Sequence, residues 1–129
     1  MKFLATFLTI LLLAGCSWSP LPPTFDNNQY LMLVDLRVTA MHMQAECGKD
    51  VTGYLTQMDL TTDKLRIYSK HLFNNSEMTT VSVILDNDVD QLLERYAGDK
   101  VPSATYCKLK SENFQQKIDR MLEALGETS

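Results

Sequence analysis

Apolar positions recur at helical spacing in four blocks along the chain, with short polar stretches between them. In the first block Leu31, Val34, Val38, Met41 and Ala45 form one stripe of a helix. Leu33, Leu36, Ala40, Met43 and Cys47 form a second stripe, roughly opposite the first at 100° per residue. The pattern predicts a helix from about Asn28 to Cys47. Asp26, Asn27 and Asn28 offer N-caps, and Gly48 is a fitting stop. Two apolar faces exceed what a bundle helix needs, so either the helix is enclosed or one face meets a partner. The first stripe is the bulkier and more β-branched, which suits a core. Leu33, Leu36, Ala40 and Met43 are therefore expected to be the partner-binding face.

The second block predicts a helix from Val51 to about Phe73, with Val51, Leu55, Met58, Leu65 and Leu72 aligned and Thr61-Thr62-Asp63 as a possible interruption. Asn74-Asn75-Ser76 reads as a turn. The third ends at Tyr96-Ala97-Gly98 and aligns Val81, Leu85, Val89, Leu92 and Tyr96. Its start is ambiguous: residues 79–85 are β-branched and partly alternating, so a short strand before a helix capped at Asp86 or Asp88 is the alternative. The fourth runs from Pro102-Ser103 to Leu125-Gly126, with Phe114, Ile118, Met121 and Leu125 in line. The expected fold is all-α, a small four-helix up-down bundle.

The chain has three cysteines. In an oxidising compartment Cys47 and Cys107 read as a disulfide; two separate buried thiols are the alternative. An up-down-up-down bundle puts the end of the first helix and the start of the last at one end, which agrees with that bond.

The leader adds a compartment. Lys2 is followed by an almost wholly apolar run from Phe3 to Leu13, broken by Thr6 and Thr9. That run is too short to span a hydrocarbon core of about 30 Å. Leu13-Ala14-Gly15-Cys16 follows, and it resembles the lipobox of bacterial lipoproteins. The resemblance implies cleavage before Cys16, lipidation of its thiol by two or three acyl chains, and stable anchoring. Ser17, where an inner-membrane retention signal would have Asp, implies the outer membrane facing the periplasm, with the inner membrane or surface left open. The expected organisation is a signal peptide over 1–15, a lipidated tether over 16–26 and a helical domain over 27–129. Pro20, Pro22 and Pro23 make that tether stiff and extended, and Trp18 suits the headgroup level.

Charge and motifs narrow the function. Removing Lys2 from the twelve Lys and Arg leaves eleven against sixteen Asp and Glu. An acidic chain without a basic run is a poor match for nucleic acid. His42 shares a helix face with Asp35, Thr39 and Glu46, but no third metal ligand is identifiable, and no H-E-x-x-H or paired C-x-x-C occurs. A solvated polar face is the better reading, and neither a metal nor a cofactor is expected. Asp86-Asn87-Asp88-Val89-Asp90 opens like a calcium loop but has Gln91 and Ala97 where Gly and Glu belong, so it reads as a helix cap. No phosphate loop and no G-x-S-x-G appears, which points to a non-catalytic protein. Met32, Met41 and Met43 cluster on the first helix, as on adaptable helix-accepting surfaces, although core filling explains them as well.

In order and placement, Leu36-Arg37 before Cys47, and Ala104-Thr105-Tyr106-Cys107 leading into Phe114, are similar to the pilotins of type II secretion. These are small outer-membrane lipoproteins with a four-helix domain and one disulfide from the first long helix to the last. The similarity covers about 45 residues by the placement of those segments and does not extend over Thr52 to Gly98. It implies a binding or assembly module that captures an amphipathic helix of a secretion or outer-membrane component. An envelope inhibitor or phage-type exclusion lipoprotein is the alternative reading.

Overall fold

The computed structural model describes residues 25–72, 76–98 and 101–127. The expected signal peptide, Cys16, most of the expected tether including Trp18, and the turn expected at Asn74-Asn75 lie outside them. The described residues form four helices: α1 (Asn27–Ala45), α2 (Thr52–His71), α3 (Ser76–Ala97) and α4 (Ala104–Glu127). They contain no β-strand, and none of the helices is long and apolar enough to cross a membrane.

Three of the four starts have a local cause. Asp26 caps α1 by accepting from the Gln29 amide at 2.9 Å. Asp50 accepts from the amide and hydroxyl of Thr52 at the start of α2, and these bonds hold its carboxyl below the usual pKa. Ser103 opens α4 by accepting from the Tyr106 amide at 3.1 Å. Gly48, just beyond α1, sits at φ 104°, a conformation that L side chains rarely adopt.

α1 runs antiparallel to α2 and to α4, as the cross-links between them show. Gln29 donates to Ser69 at 2.8 Å, joining the start of α1 to the end of α2. Arg37 donates to Asp119 and Gln115, and Cys47 bonds to Cys107, joining α1 to α4 in reverse order. Thr62 and Arg66 on α2 both reach Asp86 on α3. Backbones pack closely between α1 and α2, α1 and α4, and α2 and α3, whereas α3 and α4 stand farther apart. The bundle thus has one open seam.

The core corrects the expected faces of α1. Leu33, Leu36, Ala40 and Met43 are fully buried, while Leu31, Val38 and Met41 are 52%, 43% and 49% exposed. The stripe expected to meet a partner is the core, and the stripe expected in the core is the outer surface. Cys47 explains the reversal: it continues the second stripe and must face Cys107, which is itself buried. Ala40 on that stripe also lets α4 approach, and Gln115 is close enough to donate to the Ala40 carbonyl at 3.5 Å.

Of the two readings of 79–85, the helix holds and the strand alternative does not: the segment is helix throughout. Met78, Ser82, Leu85, Val89 and Leu92 form its buried stripe, and packing of that stripe outweighs local β-propensity. The hydroxyls that compete with helix formation are satisfied within it: Thr80 donates to the Ser76 carbonyl and Ser82 to that of Thr79. Likewise Thr62 does not interrupt α2 but lies buried against Asp86. The acidic run expected to cap a helix lies in the middle of α3 instead. There Asp86 faces α2, Val89 enters the core and Asp88 pairs with Lys117 of α4.

Candidate functional site

The open seam between α3 and α4 holds a groove of about 230 Å³. Leu92 and Phe114, both buried, form its apolar floor. Asp88 and Gln91 line it from α3, and Tyr106, Lys110, Asn113, Lys117 and Arg120 from α4. The Asp88–Lys117 ion pair crosses the seam. Arg95 of α3 lies 5.2 Å from the centre of the Tyr106 ring, and Lys110 lies 5.6 Å from it, so each helix sets a cation against one aromatic ring. Burial, with Tyr106 nearby, pushes the Tyr96 hydroxyl above its usual pKa.

This groove is smaller than the roughly 300–1,000 Å³ clefts that enclose whole small molecules. It suits one or two side chains of a longer ligand. Its lining was present in the sequence as Lys110, Asn113, Lys117 and Arg120, a 3-4-3 polar stripe on one face of α4. Nothing in the sequence signals that α3 stands away from that stripe.

The outer stripe of α1 is a second apolar surface, with Leu31, Val38 and Met41 exposed along its length. The residues expected to bind a partner, Leu33, Leu36, Ala40 and Met43, are sealed in the core and reach neither surface.

His42 is exposed, Glu46 pairs with Lys49, and the Thr39 hydroxyl donates to the Asp35 carbonyl. The structure gathers no metal-ligand cluster around His42 among the described residues. It instead brings Asp59 of α2 beside Asp86 and Asp90 of α3, with one carboxylate oxygen of each within 4.8 Å of the others. Such a set can offer oxygens to a hard cation, but Asp86 is already held by Thr62 and Arg66. Partial burial, together with Asp63, Asp90 and Asp86, raises the Asp59 carboxyl above its usual pKa. The trio therefore reads as an electrostatic cost of joining α2 to α3.

Comparisons of the chain with protein-family models, curated proteins and solved structures find no match.

Proposed function

We propose that the chain is a lipid-anchored, non-catalytic binding module that holds a segment of an envelope protein, in the manner of a secretion pilotin. The observation that carries this reading is the open α3–α4 seam: a shallow groove with an apolar floor and a polar rim, on a bundle whose other neighbouring helices pack closely. Helix-accepting grooves have this anatomy, with buried anchors inside and charged residues at the edge. The lipobox-like segment ending at Cys16 supports attachment to a membrane, and a Cys47–Cys107 bond suits an oxidising compartment. In this reading the lipid fixes where the complex sits, and the groove fixes what is held.

A photocrosslinking residue at Asn113, in the groove, tests this against one at Glu112, exposed on the outer face of α4. In living cells the Asn113 position should give one discrete adduct with an envelope protein, and the Glu112 position none. No adduct from Asn113, or the same set from both positions, would overturn the proposal.

A further inference from the structure

We infer that the α3–α4 groove takes a helical segment whose polar face is acidic. This rests on the reading of the groove as a docking site and adds the chemistry of its occupant.

The charge at the groove runs against that of the chain. The sequence carries sixteen Asp and Glu against twelve Lys and Arg, for a net charge of −4. Yet Lys110, Lys117 and Arg120 line the groove against Asp88 alone. Asp88 is engaged by Lys117. Among the described residues, Lys110 and Arg120 have no ion-pair partner, so both are open to a carboxylate from outside. Arg95 adds a further cation at the Tyr106 end.

The shape suits a helix lying along the seam. Leu92 and Phe114 supply an apolar floor. Ile84, 45% exposed and one turn before Asp88 on the same face of α3, offers an apolar side chain just beyond the groove, away from Tyr106. An amphipathic segment would set its apolar residues on this floor and its carboxylates against Lys110 and Arg120. Rim charges of this kind give speed and selectivity more than affinity, and their effect is screened by salt.

The test uses the protein purified in its cellular form with the disulfide intact. One probe is a dye-labelled amphipathic peptide of about 18 residues, roughly five helical turns, with Leu and Ala on one face and Glu on the other. The second probe has Lys in place of every Glu. The Glu peptide should bind about tenfold tighter than the Lys peptide, and about tenfold weaker at 500 mM than at 50 mM salt. The variant with Lys110→Glu and Arg120→Glu, both on the surface, should reverse the preference while keeping its helical circular dichroism. Equal binding of the two peptides in competition with each other would overturn the acidic partner and leave the docking reading standing. Binding of neither, tighter binding of the Lys peptide, or Glu-peptide binding untouched by the double charge reversal would each overturn it as well. The Asn113 crosslinks decide the docking reading separately.

Discussion

Cys47 and Cys107 join the end of α1 to the first turn of α4, with their α-carbons 5.7 Å apart and a sequence separation of 60. α2 and α3 both lie within that loop. Closing a loop of this length restricts the unfolded chain, and the chain-entropy model gives about 4 kcal/mol of stabilisation. Replacing both cysteines with serine should therefore lower the unfolding free energy by up to about 4 kcal/mol. Urea titration of the two proteins checks it. A loss below about 1 kcal/mol would mean that α1 and α4 are held together without the bond.

The same pair shows what was legible in the sequence. Four helices, their approximate ends and the disulfide follow from apolar spacing, capping residues and cysteine parity. The facing of α1 was also legible, because Cys47 belongs to the stripe of Leu36 and Met43 and a bond to the last helix turns that stripe inward. Bulk and β-branching point the other way, and they are weaker constraints than a covalent bond. Residues 79–85 leave helix and strand open because their propensity is local, while the force that decides them is burial of Leu85 and Val89 across the bundle. The groove is illegible for a different reason. It depends on the distance between α3 and α4, which no periodicity within either helix encodes.

Gly48 and Gly53 should respond to alanine with opposite signs. Gly48 lies at φ 104°, where a side chain strains the backbone, although an added Cβ would meet only the Ala104 Cβ at 3.6 Å. Gly48→Ala should cost about 1–2 kcal/mol through the backbone alone. Gly53 lies in the first turn of α2 with nothing within 4 Å of an added Cβ, so Gly53→Ala should stabilise by about 0.5 kcal/mol. Paired denaturant curves read both signs.

Asp59 makes stability depend on pH. Its carboxyl is raised above 3.8 by partial burial, then by Asp63, Asp90 and Asp86. A raised carboxyl pKa means that the folded chain holds the proton more tightly than the unfolded one. Stability therefore falls as pH climbs from 3.8 through the folded value, and the penalty is fully present at neutral pH. Asp59→Asn should raise Tm at pH 7 and have little effect below about pH 3.5. A lower Tm at pH 7 would mean that the carboxylate trio is stabilising, as it would be around a bound cation.

Cys16→Ala tests the anchor. If the thiol of Cys16 carries the lipid, the variant should leave the outer-membrane fraction, appearing either as soluble material or held at the inner membrane by an uncleaved leader. Undiminished recovery in outer membranes would refute lipidation at Cys16.

The two faces of α1 give the sharpest contrast in stability. Leu36 is fully buried, so Leu36→Asp places an unpaired carboxylate among Leu33, Met43 and the other core residues. Removing the leucine alone would cost about 2–5 kcal/mol, and the buried charge adds to that. A small domain with about 5–15 kcal/mol of stability has little left after such a loss. Val38 lies two residues away on the same helix but is 43% exposed on the outer stripe. Val38→Asp loses little buried area and sets its charge in water, so it should cost no more than about 1 kcal/mol, chiefly from helix propensity and neighbouring packing. Circular dichroism melts of the two variants should therefore show a protein largely unfolded at 37 °C for Leu36→Asp and a near-normal transition for Val38→Asp. If Val38→Asp proves as damaging, the outer stripe is covered in the protein as it exists in solution, and something other than α2 or α4 must cover it.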